Sequence, residues 1–266
     1  MYREAPLRPY NRKDLRILHI HAHPDDAEIF TGGTLALLAQ RGHHITIVTM
    51  TAGDCGSNHH IPSEIASIRR REAKRGAAII GAEYLCGEFR DLAIYEDDAS
   101  RRRVVWLLRR THPDLVLTAP SNDYHCDHET TSRLVRDACF AAPAPNYDTS
   151  MYGGEPVLKK IPHLYFVDPA EGTDRDSRPL VPHFVVDITS TLAVKREMLA
   201  CHESQRVWLK EHHNMDNYLE TMEEWSAQVG RYTGVKYGEG FRHYRMHPYP
   251  VSPLLEDLLG DLVKRL

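Results

Sequence analysis

The stretch that decides the fold is RILHIHAHPDDAEIFTGGTLALLAQRGHHITIVTMT, residues 16–51. Its opening, RILHIHA at 16–22, is short, rich in Ile and Leu and apolar at alternate positions, which predicts a strand that stops at Pro24. After a turn, Thr31 or Gly32 is placed to cap a helix whose Leu35, Leu38 and Ala39 share one face, with Gly42 where a terminating glycine belongs. ITIVTMT at 45–51 then reads as a second strand, continuous in β-branched residues as expected for a strand covered on both faces.

Outward from this unit the alternation continues. Ile65, Ile68, Glu72, Ala73 and Ile79 lie along a helix ending at Gly81, a further helix spans 99–110 with Val104, Val105 and Leu108 inward, and LVLTA at 115–119 is the next strand. Helices and strands in this order predict right-handed βαβ units. The expected fold is therefore α/β, a single domain over 1–266 built on a Rossmann-like, doubly wound, mainly parallel sheet flanked by helices. The second half is less regular: a Pro/Gly/Tyr-rich loop at 143–156, strands at 163–167 and 183–187, a helix over 190–203 and a helix 129–141 before them. Met215, Tyr218, Leu219, Met222, Trp225 and Val229 recur at helical spacing and read as core packing, while Leu254, Leu255, Leu258, Leu259 and Leu262 form an amphipathic tail helix at 253–266. That leucine stripe predicts packing on the domain or on a second subunit, hence a homo-oligomer.

Composition narrows the function. With 42% hydrophobic and 26% charged residues the chain can bury a full core, and a net charge of -4 argues against nucleic acid as a partner. The charged opening MYREAPLRPYNRKDLR lacks an apolar h-region and no stretch approaches a membrane span, so a cytoplasmic protein is expected. The five cysteines are widely spaced and form no C-x-x-C pair, which predicts reduced thiols. His43-His44, His59-His60 and His212-His213 lie in polar stretches and read as surface.

Two clusters carry chemistry. His23-Pro24-Asp25-Asp26 follows the first strand directly, so the turn at Pro24 lets His23 and Asp26 converge while Asp25 presents a separate carboxylate. Alone, this pattern equally suits an acidic turn that caps a helix. The second cluster, His125-Cys126-Asp127-His128, follows the strand at 115–119, and both clusters stand at carboxyl ends of parallel strands, where such folds bind ligands. His128 then completes a His23/Asp26/His128 set: three protein ligands with an open position, as in a catalytic zinc site; the same donors accept iron(II). Cys126 is a weaker fourth candidate, and His19 and His21, alternating with His23, read as packed strand histidines.

These residues resemble the LmbE/PIG-L family of zinc-dependent N-acetylglucosaminyl deacetylases. The resemblance rests on AHPDDAEIFTGGT at 22–34, TAGDCGS at 51–57, IRRREAKRGAAIIG at 68–81 and HPDLVLTAPSNDYHCDH at 112–128, with weaker marks in HESQ at 202–205 and YGEGF at 237–241. It covers about residues 16–241. It implies that His23, Asp26 and His128 bind Zn2+, that Asp25 is the general base, and that His125 stabilises or protonates the reacting amide with Asp127 fixing its orientation. Arg69 matches an arginine expected to touch the substrate, with Glu72 as its anchor, and Cys126 stands where proline is usual.

The implied reaction is removal of an acetyl group from an N-acetylglucosamine-type sugar or conjugate: zinc lowers the pKa of water to about 7, Asp25 takes the proton, and His125, if protonated, helps to stabilise the oxyanion. The partner is then a small acetylated amino sugar, with loop 143–160 as a wall of its pocket. The alternatives are an amidase acting on a larger sugar-thiol conjugate and an inactive sugar- or nucleotide-binding module, the latter weakened because Gly32-Gly33 is not a full G-x-G-x-x-G.

Overall fold

The computed structural model describes residues 14–213 and 217–266; Met215 of the apolar stripe and the first thirteen residues lie outside them. Among the described residues one sheet of eight strands runs in the order β3-β2-β1-β4-β5-β7-β6-β8. The strands are β1 (Arg16–His21), β2 (His44–Thr51), β3 (Glu83–Phe89), β4 (Leu115–Thr118), β5 (His163–Val167), β6 (Phe184–Asp187), β7 (Gly238–His243) and β8 (Val263–Arg265). The first five are parallel, as expected, and β7, β6 and β8 extend the sheet by antiparallel pairs. The antiparallel extension was not expected.

The helices are α1 (Asp26–Gln40), α2 (Pro62–Ile79), α3 (Asp98–Thr111), α4 (Cys126–Ala141), α5 (Leu192–Ala200), α6 (Glu203–His213), α7 (Tyr218–Arg231) and α8 (Leu254–Leu259). Both site-bearing helices start earlier than expected: α1 begins at Asp26 rather than near Thr31, and α4 at Cys126 rather than after His128. An acidic residue needs no separate turn before a helix, because its charge is favourable in the first turn.

Alternation along the strands builds two cores. Ile17, Ile45, Leu115 and Tyr165 face one cluster with Leu35 and Leu38 of α1, whereas Leu18, Ile20, Val48 and Val116 face the other with Val104 and Leu108 of α3 and Leu134 and Val135 of α4. Chain order places β2 and β3 on one side of β1 and β4 on the other. The crevice at the carboxyl ends of β1 and β4 is therefore the topological switch point of the sheet, the place where doubly wound folds bind ligands.

The tail differs from the single helix expected over 253–266. It is one short helix, a 3-10 turn at Gly260–Leu262 and then β8, paired with β6. Its Leu254, Leu255, Leu258 and Leu259 are buried in the first core, so of the two readings of the stripe the one that packs it on its own domain is the one seen. No helix among the described residues is long and apolar enough to cross a membrane.

A buried ion pair ties the extension to α1. Lys195 of α5 donates to Glu239 of β7 at 2.8 Å, and Glu239 accepts from the amides of Gly33 and Thr34 inside α1 at 2.9 and 2.8 Å. Gly33 allows this close packing, since a Cβ there would lie 2.7 Å from Cβ of Ile188, and one on Gly32 would be tight at 3.1 Å from Cγ of Lys195. The Gly-Gly pair is a helix packing point, not a phosphate loop. Lys195→Met leaves the Glu239 carboxylate buried without its cation and is expected to lower stability by about 3–5 kcal/mol in urea denaturation. A loss under about 1 kcal/mol would mean that the two amides suffice to hold the carboxylate.

Candidate metal centre

β1 ends at His21, and the chain turns through Ala22-His23-Pro24 into α1. Asp25, the residue before the helix, has φ 101°, left-handed backbone for a non-glycine residue, and its side chain makes no capping bond. Such a conformation costs on the order of 1–3 kcal/mol and persists only where its surroundings enforce it. Here they do. Arg69 of α2, 3% exposed, donates to the carbonyl of Pro24 at 2.8 Å and stands 3.6 Å from Asp25, while the Tyr218 hydroxyl of α7 donates to Asp25 Oδ2 at 2.5 Å. Gly53, at φ 67°, leaves the room for Arg69, since a Cβ there would lie 2.1 Å from its Nη1.

The structure brings the two distant clusters together. His23 Nδ1, Asp26 Oδ2 and His128 Nε2 form a triangle with sides of 3.3 Å between the imidazoles and 3.5 Å from each imidazole to the carboxylate. Atoms bound to zinc at about 2.0–2.1 Å in tetrahedral geometry stand about 3.3–3.4 Å apart, so the three donors fit one ion. All three residues are buried. Other donors crowd the same point: His125 groups with His23 and His128, and His21 with Asp26 and His128.

Supporting contacts orient the triangle. His21 Nδ1 stands 2.6 Å from Asp26 Oδ2, and Asp26 Oδ2 also accepts the His23 backbone N–H at 2.7 Å. Asp123 Oδ1 stands 3.2 Å from His128 Nδ1, the nitrogen that faces away from the triangle. A carboxylate behind a ligating imidazole fixes the ring and raises its basicity. Asp123→Asn is therefore expected to weaken zinc binding by roughly 10–100-fold in a competition titration with a chelator; unchanged affinity would show that Asp123 does not orient the ligand.

The charge around His23 favours a cation. Burial works against its imidazolium, but Asp127, Asp26 and Asp91 outweigh it and raise its pKa well above the ordinary value. Burial likewise opposes ionisation of Asp26, yet His21 and His128 hold its pKa well below the usual carboxylate range. Asp25 behaves differently: burial raises its pKa, against the pull of Arg69. A carboxyl that is more basic than usual, beside three donors for one ion, has the character of a general base.

Two expectations, on Asp127 and on Glu72, are corrected in detail. Asp127 does not present its carboxylate to His125; Oδ2 instead lies 3.4 Å from His23 Nε2 and accepts the Leu92 N–H at 2.8 Å. The His125 ring is held by the backbone N–H of Asp127, which donates to its Nδ1 at 3.2 Å. Burial, then His23 and His128, lower the His125 pKa to about 4, so it is neutral at pH 7 with its hydrogen on Nε2. Glu72 anchors Ser204, not Arg69, accepting from its N–H at 3.0 Å and its hydroxyl at 2.5 Å. Loop 143–160 is fastened to α3 through Arg102 to Asp148 and Arg109 to Ala144 and Thr149. The loop before α4 is met by Arg175, whose N–H donates to Asn122 and whose guanidinium pairs with Glu129.

Sequence reasoning missed Asp91, whose Oδ1 stands 3.1 Å from His23 Nε2, along with Asp123 and Tyr218. It also underrated His21, whereas His19 is packed and stacks on His21 at 5.9 Å. Cys126 is exposed, with Sγ 3.8 Å from Asp127 Oδ1, and all five cysteines are free. His59 and His60 are on the surface.

Residues 18–139, which carry both clusters, match the family model described as PIG-L, GlcNAc-PI de-N-acetylase. Over the residues that carry the site the chain is similar to the PIG-L/LmbE family. The chain is an enzyme, and among its relatives is the diacetylchitobiose deacetylase of Thermococcus kodakarensis, 29% identical over 238 residues, 85% of this chain and 82% of that one. The N,N'-diacetylchitobiose deacetylase of Pyrococcus horikoshii, solved with an inhibitor, superposes with a TM-score of 0.73 at 25% identity, covering 92% of this chain and 90% of the other. The family is not uniform in chemistry: the 4-oxalmesaconate hydratase of Pseudomonas putida is 25% identical over 236 residues, 86% of each chain.

Proposed function

We propose that the protein is a zinc-dependent hydrolase that removes the N-acetyl group from an N-acetylglucosamine-type sugar or sugar conjugate. The observation that carries this reading is the triangle of His23, Asp26 and His128 with sides of 3.3–3.5 Å, set beside the buried carboxylate of Asp25. A zinc ion held by these three residues would supply Lewis acidity, lowering the pKa of water and polarising the acyl carbonyl.

The remaining chemistry belongs to side chains. Asp25 takes the proton of the attacking water, and the bond from Tyr218 to Oδ2 with Arg69 near Oδ1 holds its carboxylate in place. His125, neutral and fixed through Nδ1, offers its Nε2–H to the oxyanion that develops as water adds. Asp25, whose pKa is raised by burial, then returns the proton to the departing amine, so one carboxyl serves both steps.

Acetate release across a panel of N-acetylglucosamine, its glycosides and chitin oligosaccharides tests this. Release that stops with a chelator and returns with zinc is the expected result. The hydratase among the relatives supports a second reading, addition of water to a carbon–carbon double bond at the same centre; hydration of an unsaturated dicarboxylate with no acetate from any sugar would favour it. Iron(II) restoring more activity than zinc would change the metal and leave the reaction.

A further inference from the structure

The loop that carries Asp123 and His125 is held from across the sheet edge. It leaves the carboxyl end of β4, and β5, the neighbouring parallel strand, sends its own connection, 168–183, out at the same edge. That connection closes on itself. The Asp174 N–H donates to the Arg178 carbonyl at 2.9 Å and the Leu180 N–H to the Gly172 carbonyl at 2.8 Å, while Asp174 Oδ1 accepts the N–H groups of Asp176 and Arg178, both at 2.9 Å. Gln228 of α7 donates to the carbonyl of Glu171 at 3.1 Å and anchors the base. An aspartate that bonds the backbone ahead of it fixes a turn, so Arg175, between Asp174 and Asp176, is carried as a set arm.

We propose that Arg175 and Glu129 are positioning residues for the metal centre, a brace that sets the Asp123 loop and, through it, the His128 ring. The inference rests on the zinc site of the deacetylase reading and on no feature of the substrate. Arg175 reaches across twice, its N–H to Asn122 Oδ1 at 3.2 Å and its guanidinium to Glu129 Oε2. Glu129, in the first turn of α4 and 7% exposed, turns its other oxygen back to accept the Asp123 N–H at 3.0 Å. Asp123 Oδ1 then accepts the His125 N–H at 2.9 Å and stands 3.2 Å from His128 Nδ1. The guanidinium is thus linked to a metal-binding imidazole by consecutive polar contacts.

A second cation lies near the same carboxylate. Arg133, one turn along α4, stands 3.8 Å from Glu129 Oε2, but its Nε is engaged by Glu96 at 2.8 Å. A pair between Glu129 and Arg133 ties α4 only to itself, whereas Arg175 comes from a separate connection and fixes one loop against the other. Without Arg175 the buried carboxylate is left with Arg133, and a shift toward it draws the other oxygen off the Asp123 N–H. A buried donor that loses its acceptor reorganises its surroundings, here the residues behind His128.

Competition titration of the full chain with a zinc chelator tests this through the sign of one effect. Arg175→Ala removes a positive charge from the surroundings of a cation site, which by charge alone would tighten zinc binding. The brace predicts the opposite, weakening by about threefold to tenfold, with Arg175→Lys keeping part of the affinity. Glu129→Ala is expected to weaken binding by about tenfold, and the double variant to be no weaker than Glu129→Ala, because the arginine acts through the carboxylate. Circular dichroism and melting check that each variant is folded. Unchanged or tighter zinc in folded Arg175→Ala, additive losses in the double variant, or an unmodified chain that binds no zinc would overturn the proposal. Weakening in a chain that releases no acetate from any sugar keeps the brace and removes the deacetylase reading; acetate release with unmoved zinc affinity does the reverse.

Discussion

Asp25→Asn is expected to keep one zinc per chain and to lose acetate release by about 100- to 10,000-fold, the range spanned by general acid–base groups. Asparagine has the same shape, tolerates the left-handed backbone at φ 101°, and can still accept the Tyr218 hydroxyl, so neither fold nor metal is disturbed. What is lost is the capacity to take a proton from water and return it to the amine. Metal analysis alongside initial rates separates the two effects. Turnover within about threefold of the unmodified chain, less than 1 kcal/mol of barrier, would remove Asp25 from the chemistry.

His128→Ala is the second large effect. His128 is the sole described residue of the second cluster that closes the triangle with both His23 Nδ1 and Asp26 Oδ2, and its other nitrogen faces Asp123. Its removal leaves His23 and Asp26 as a two-point site and strands a buried carboxylate. Zinc affinity is expected to fall by more than the roughly 10–100-fold that loss of a supporting contact causes, with acetate release falling to background. Full zinc content in the purified variant, measured by plasma mass spectrometry, would show that the ion is held elsewhere.

The parallel half of the fold was legible because periodicity is a local signal: RILHIHA, ITIVTMT and LVLTA each declare a strand without reference to anything distant. The antiparallel half was not. β7 is GEGFRH, with two glycines and two charges in six residues, and it is a strand because β5 and β6 pair with it and Glu239 is neutralised by Lys195, all tertiary facts. β8 is three residues, too short to show a period. The convergence of the two clusters was legible for a different reason, since histidine–aspartate pairs at carboxyl ends of adjacent parallel strands can meet only at the switch point. Its supports were hidden. Tyr218 sits in an apolar stripe whose spacing is that of a core helix, and only the fold shows its hydroxyl on Asp25; Asp91 and Asp123 lie in loops, where one aspartate resembles another until the ring it faces is known. The reversal at Asp127, whose backbone rather than carboxylate meets His125, follows from helix geometry that spacing alone does not convey.

The central claim is that two imidazoles and one carboxylate from opposite halves of the switch point grip one divalent ion. Anomalous diffraction at the zinc absorption edge from crystals of the zinc-loaded chain tests it most directly. A single peak about 2.0–2.2 Å from His23 Nδ1, Asp26 Oδ2 and His128 Nε2 is the predicted result. A peak at a different donor group, Asp54, Cys55 and Asp91, with none inside the triangle, would contradict it.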